Sequence, residues 1–455
     1  MRLGLAFVCI SATIVSAQQR PGSLVNFAHL DHLTEQIRLN GEQVSIVHIY
    51  ADYPSYKWVD AGDEGIACVD DVARAAVVYL TSYEQNQDTL ALSRARLLLK
   101  FIMSMQTEDG QFYNFLRADH SINRDGKTSL KSFGWWAGRA LWAMSTGCRV
   151  MNSVDPAFAS VLRKRVERSL PNVGHLLDKF GKTTELEGFK CPDWLMYDSG
   201  ADATTELLLG LIEYYRASQD KIVAGYVRQL SDGLMIMQDG TLRVFPFGAH
   251  RSWQSMWHAW GNSQTEVLAY AGTILSDSSM IRSAELEARG FYSRLLINGM
   301  AKEWNFAMPA ARTDYEQIAY GIRPMTLGLL RLYDATQNNL YLRMAGLAAS
   351  WFFGNNVLNA VMYDSTTGRC FDGITDSTHV NRNSGAESTI EALYTLLELE
   401  RYPLAQKYLH YKKLNSVVGG DQLSATFQND SGAQLTLKLD VKNETLSSRE
   451  QESCH

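Results

Sequence analysis

Residues 135–168 decide the fold. They open with Trp135-Trp136-Ala137-Gly138-Arg139-Ala140-Leu141-Trp142, which is apolar nearly all round. After a short break at 152–155 they continue into Leu162-Arg163-Lys164-Arg165-Val166-Glu167-Arg168, which carries one charged face. Apolar positions recur at three and four residues, the period of a helix, and not at two. A helix apolar all round is buried, whereas an amphipathic one faces solvent. So short a connection makes the two helices antiparallel neighbours. The stretch therefore reads as a helical hairpin with one inner and one outer member.

The same unit recurs along the chain. The period predicts helix pairs at 69–83 with 89–105, 135–150 with 156–180, 201–217 with 220–237, 263–275 with 279–300, 315–335 with 339–353, and 386–400 with 403–413. Pro324 marks a kink or a start in the fifth pair. Connections within pairs are a few residues; those between pairs run roughly 13 to 32 residues, lengths that are usually functional in a compact domain. Six inner and six outer helices make an all-α (α/α)6 barrel, with the long loops gathered where the inner helices begin. A stacked solenoid would show a fixed sequence period; these pairs differ in length and share no motif, so the solenoid ranks second.

Around the barrel, assigned to 58–413, lie an accessory segment at 18–57 and a β segment at 414–455. The accessory segment is read as a helix near 26–40 and an extended run at 43–50. In the β segment, 421–427 and 433–441 alternate as strands. Two strands alone are marginal, so they either pack on the barrel or begin a larger β-domain. Residues 1–17 read as a secretory signal peptide: Arg2, an apolar run from Leu3 to Val15, then Val15-Ser16-Ala17. The expectation is cleavage near Ala17 and a secreted or periplasmic protein. Of the cysteines beyond it, Cys68 and Cys148 read as core residues, and Cys191 and Cys370 as loop residues that could pair in an oxidising compartment.

The 455 residues carry a formal charge of −6 and are 46% hydrophobic and 20% charged, values of a folded protein and not of a disordered one. Scattered Lys and Arg argue against a nucleic-acid partner. No later run is apolar enough for a membrane span, no metal-ligand spacing stands out, and no cofactor is required. Oligomeric state is not legible.

The loop ends bring acids and aromatics to the inner-helix starts. Asp70-Asp71 is hard to read as capping alone, because adjacent carboxylates repel and point about 100° apart on a helix. One can cap while the other looks into the barrel mouth. Asp198, Asp202 and Glu206 share one helical face, with Asp202 nearest the mouth. Ser263-x-x-Glu266, Thr313-x-x-Glu316, Ser384-x-x-Glu387 and Ser388-x-x-Glu391 all fit the capping box. Glu387 stands out from these because the polar stretch Asn381-Arg382-Asn383-Ser384-Gly385 exceeds what a cap needs. Glycosidic cleavage requires two carboxyl groups, one protonated and one ionised, with flat apolar faces for sugar rings. The candidate catalytic residues are therefore Asp70, Asp71, Asp202 and Glu387. The donor is assigned to the Asp70/Asp71 doublet, where repulsion raises a pKa, and the base to Asp202 or Glu387. Trp58, Trp136, His250, Trp253, Trp257, Trp260, Tyr315 and Arg382 are candidate substrate-binding residues.

This pattern resembles the six-hairpin glycosidase superfamily over about residues 58–413. The resemblance rests on the six hairpins, the Trp-rich loop end, and the stretches Gly62-Asp63-Glu64-Gly65-Ile66-Ala67-Cys68-Val69-Asp70-Asp71 and Asn383-Ser384-Gly385-Ala386-Glu387-Ser388-Thr389-Ile390-Glu391. It implies a carboxylate-driven hydrolase with its cleft at the loop end and an oligosaccharide or polysaccharide substrate. Two other readings stand beside it: a lyase or epimerase in which His250, His258 or Tyr315 moves a carbon-bound proton, and a carbohydrate-binding protein without turnover.

Overall fold

The computed structural model describes residues 22–452; the signal-peptide reading, Cys9 and Cys454 fall outside them. Twelve helices form six hairpins: α1 Val69–Asn86 with α2 Thr89–Met105, α3 Trp135–Met151 with α4 Pro156–Leu177, α5 Ala201–Ser218 with α6 Lys221–Ile236, α7 Gln264–Leu275 with α8 Ser278–Glu287, α9 Ala319–Thr336 with α10 Asn339–Ala349, and α11 Ala386–Leu399 with α12 Pro403–Gln406. The odd-numbered helices are almost wholly buried. Each packs on the next, and α11 packs on α1, so the inner ring closes. Glycines let two of its members approach closely: a Cβ on Gly210 would lie 2.7 Å from the backbone nitrogen of Trp142. The fold is the expected (α/α)6 barrel.

The two ends of the barrel are built by different rules. At the short-turn end, α1, α5, α7 and α9 stop at left-handed residues, Gln87, Gln219, Ser276 and Gln337. The next residue, Asp88, Asp220, Asp277 or Asn338, caps the following outer helix with its side chain. Asp155 does the same for α4. At the long-loop end, no inner helix has a side-chain hydrogen bond from its own N-cap residue. The capping-box reading of Glu266, Glu316, Glu387 and Glu391 is therefore corrected, since these acids have other partners or lie before the helix.

Three boundaries also differ from expectation. Helix α9 begins at Ala319 and runs through Pro324, because the residues before it are extended: Arg312–Thr313 pairs with Glu303–Asn305, and Gln317 exchanges backbone hydrogen bonds with Ile374. Helix α12 is a single turn. The N-terminal helix covers only Ala28–Leu33, after which Thr34–Leu39 and Glu42–Val47 form a hairpin packed on α2. That segment helps close the ring: Ile49 accepts from the Ala386 amide at 2.8 Å and Ala51 from that of Ser384 at 3.1 Å.

The C-terminal segment is a four-stranded antiparallel sheet, Lys412–Val417, Gln422–Gln428, Gln434–Asp440 and Thr445–Gln451 in that order. One face, with Leu423, Ala425, Phe427, Leu435, Leu437 and Leu439, is buried. It contacts the short helix Ser293–Asn298 that extends α8. Cys191 and Cys370 do not pair; both are buried free thiols, as are Cys68 and Cys148. No helix among the described residues is long and apolar enough to cross a membrane.

Candidate active site

A cavity of about 740 Å³ opens at the long-loop end, walled by Tyr50, Cys68, Asp70, Asp71, Arg74, Arg139, Ile318, Tyr320, Asp372, Glu387 and Ser388. Most of these come from the first turns of α1, α3, α9 and α11. The doublet divides as helical geometry requires. Asp71 turns inward, 4% exposed, and accepts from Arg74 at 2.6 Å and from the Cys68 thiol at 3.2 Å. Asp70 faces the cavity, held by Arg139 at 2.9 Å and by the Asn114 amide at 3.1 Å.

Glu387 faces the same cavity from α11. One carboxyl oxygen lies 3.3 Å from both terminal nitrogens of Arg74, and the side chain keeps 45% of its surface open to the cavity. Enclosure by the barrel walls pushes its carboxyl above the usual range. Arg74 opposes that shift, and the carboxylates of Asp71 and Glu391 add to it. Asp372, also raised by burial, accepts from the Gly385 amide at 2.9 Å and the Ser388 hydroxyl at 2.6 Å, which orders the start of α11.

Beneath the cavity lies a buried charge layer. Arg74 also binds Glu391 at 2.7 Å. Arg323 reaches Glu206 at 3.3 Å, Glu266 at 3.2 Å and Glu391 at 2.5 Å. Tyr320 donates to Glu206 at 3.0 Å and accepts from Arg139. Burial alone would raise Glu206, but Arg139, Arg323 and Arg74 outweigh it and hold the group below its ordinary value. Burial pushes Glu266 up to about 7 against the pull of Arg323.

Asp202 stands two inner helices round the ring from α1, at the same end. It accepts from His258 Nε2 at 2.9 Å, and the other ring nitrogen lies 2.5 Å from the Trp260 carbonyl. The imidazole stacks on Trp260 at 3.6 Å. Trp260 in turn faces Trp135 at 6.0 Å, and the Trp135 ring lies under Arg139, the partner of Asp70. Asp202 and the doublet are thus joined through aromatic side chains and do not share one cavity.

The other expected residues scatter. His250 is fully buried with both ring nitrogens engaged, by Glu287 at 2.7 Å and Ser283 at 2.9 Å, and does not face the cavity. Trp257 is buried against Phe291. Trp136 is partly buried and donates to the Phe112 carbonyl. Trp58 stacks on His48 at the exposed edge of the N-terminal segment. Trp253 and Arg382 are exposed, and Tyr315 lines a neighbouring groove beside Arg312. The residues that sequence reading passed over are Arg74, Arg139, Tyr320 and Arg323. Their signal was present: an arginine in the first turns of an otherwise apolar helix needs a buried carboxylate, since an unpaired charge there is costly.

No protein-family model matches the sequence, and no curated protein matches it. Solved structures share its fold. A sugar epimerase from a ruminal bacterium is 12% identical, with 78% of this chain and 92% of that chain covered and a TM-score of 0.58. Cellobiose 2-epimerase from Bacillus thermoamylovorans gives 12%, 78%, 92% and 0.57. D-mannose isomerase gives 11%, 78%, 91% and 0.53. By fold, then, the chain is a six-hairpin (α/α)6 barrel, as these solved structures are.

Proposed function

We propose that the chain is a glycan-active enzyme, a glycoside hydrolase in which Glu387 donates the proton to the glycosidic oxygen and Asp70 is the partner carboxylate. The observation that carries this reading is the placement of both groups on one open cavity, Asp70 bonded to Arg139 and Glu387 to the Arg74 it shares with Asp71 and Glu391. Hydrolysis needs one carboxyl that keeps its proton and one that accepts. Glu387, raised by enclosure, suits the first role; Asp70, ion-paired with Arg139, suits the second. These roles reverse those expected from sequence; they draw on the raised Glu387 carboxyl and on the ion pairs of Asp70 with Arg139 and of Asp71 with Arg74. Asp71 is a positioning residue that holds Arg74. Tyr50 and Tyr320 supply the aromatic and hydroxyl lining.

A panel of oligosaccharides with reducing-end detection tests this. Turnover should fall by about 10²-fold or more in Glu387→Gln and in Asp70→Asn, the usual scale for a lost proton-transfer group. Activity within a few-fold of wild type in both would end the proposal. A second reading, sugar epimerisation, draws on the His258–Asp202 pair beside Trp260; the imidazole is bonded through both nitrogens, to Asp202 and to the Trp260 carbonyl, and must release one of them before it can take a carbon-bound proton. It predicts that a reducing disaccharide changes configuration without being cleaved, and that His258→Asn and not Glu387→Gln abolishes the change. We also propose export from the cytoplasm on the strength of residues 1–17; the mature protein should begin near Gln18 on N-terminal sequencing.

A further inference from the structure

Three aromatic residues from three different hairpins form a row at the barrel mouth: Tyr197 in the loop before α5, Trp135 at the start of α3, and Trp260 in the loop before α7. The Tyr197 hydroxyl accepts from the Trp135 amide at 3.1 Å, and the Trp135 and Trp260 ring centres are 6.0 Å apart. The row borders the cavity that holds Asp70 and Glu387. Trp135 lies against Arg139, the partner of Asp70. Gly261, next to Trp260, lies against the cavity wall: a Cβ there would sit 3.2 Å from the Tyr320 hydroxyl. Enclosure of its hydroxyl end raises the Tyr197 phenol above its ordinary value, and the charges of Asp70 and Asp202 add to the shift, so the ring is near both acids.

Two of these rings are pinned in place and yet open to solvent. Trp260 is backed by the His258 imidazole at 3.6 Å and is 36% exposed. Tyr197 is 52% exposed although its hydroxyl is tied to α3. Its backbone is unusual: Tyr197, Asp198 and Ser199 have φ of 54°, 50° and 105° in succession, a region disfavoured for residues with a Cβ. Its seat also needs a glycine, since a Cβ on Gly134 would lie 2.0 Å from the Tyr197 hydroxyl oxygen. Strain that holds a large ring out in solvent adds nothing to the core, and such strain collects at ligand clamps. A ring fixed in advance also loses little freedom when a ligand stacks on it. Flat apolar faces continuing from a carboxylate cavity suit a sugar ring, which keeps its hydroxyls at the edge. We propose that Tyr197, with Trp135 and Trp260, forms a subsite for further sugar units adjoining the one in the cavity, so that the protein selects oligosaccharides by length. This assignment rests on the glycan reading above and narrows its substrate class to chains that reach past the cavity.

Calorimetric titration tests it on the full-length protein carrying Glu387→Gln, in which the hydrolase reading leaves ligands intact. The probes are gluco-, manno-, galacto- and xylo-oligosaccharides of two to five units. In at least one series the affinity should rise about 10-fold as the chain grows from two units to four, on the scale of one covered ring face. Adding Tyr197→Leu, which removes the flat face, should abolish that rise; adding Tyr197→Phe, which keeps it, should preserve most of the rise. No rise in any series overturns the proposal, whether or not the Tyr197 variants fold. A rise that survives in a folded Tyr197→Leu protein overturns it too, and if that variant does not fold, Trp260→Leu is read in the same way. The hydrolase reading is judged separately, with Glu387 in place. Cleavage whose rate ignores chain length, without a rise in affinity, would remove this subsite and leave that reading standing; a rise in affinity with no cleavage would do the reverse.

Discussion

At the scale of single residues, the site is a set of carboxyls sorted by the arginines beside them. Glu387 is raised by enclosure and by its acidic neighbours. A proton donor works only below its pKa, so the alkaline limb of the rate profile should lie above the ordinary carboxylate range. Replacing Asp71 with Asn removes a nearby negative charge and frees Arg74 to bind Glu387 more closely. Both effects lower the donor's pKa, so that limb should move to lower pH; a kinetic profile with the limb unmoved or moved up would contradict the assignment. Glu266 makes a separate prediction about stability. Its folded pKa of about 7 exceeds the ordinary 4.5, so the folded state binds the extra proton and stability is lost as pH rises between those values. Glu266→Gln carries no such loss. Its stability relative to wild type should grow with pH from 4.5, reaching about 3 kcal/mol by pH 8, as read by denaturant unfolding.

At the scale of elements, the tight turns repeat one device: a left-handed residue that ends the inner helix, then an Asp or Asn that caps the outer one. Asp88 accepts from the amides of Leu90 at 3.0 Å and Ala91 at 3.1 Å. Asp88→Ala should cost about 1 kcal/mol of stability and leave turnover unchanged, a separation that thermal unfolding and a rate assay read together. The opposite end lacks that device, and its backbone amides pair with loops instead, as in Gly385 with Asp372. The hairpins were legible because burial on all sides leaves a helix apolar at every position. The lengths of the inner helices followed from that signal to within a few residues. The start of α9 did not, because an extended partner far away in the chain, at Ile374, takes Gln317 first; nor did the end of α12, where 407–410 form turns and strand pairing begins at Lys412.

At the scale of the molecule, the ring is closed by residues from both ends of the described chain. Helix α12 is one turn long, and the N-terminal segment covers the gap by pairing Ile49 and Ala51 with the start of α11. That pairing also places Glu387, so loss of the segment should strike stability and activity together. A chain lacking residues 22–52 should unfold at lower denaturant with a broadened transition and show no turnover; retention of wild-type turnover would refute that role. The sheet after Tyr411 is bound to the barrel as a layer. Arg343 pairs with Glu450 at 3.1 Å, Tyr408 and Lys407 bind the same carboxylate, and the apolar strand faces lie against the α8 extension.

The amino-acid pattern alone was enough for the six hairpins, the inner and outer roles, the loop-rich end, and the presence there of Asp70, Asp71, Asp202 and Glu387. These depend on periodicity and composition, which are local. Which carboxyl faces the cavity, which is neutralised by arginine, and which histidine is locked against Glu287 were decided only by the folded ring. Those properties depend on distances between residues hundreds of positions apart, such as Arg74 to Glu387 and Arg139 to Tyr320, and a pKa responds to the charges that tertiary packing brings within a few ångströms.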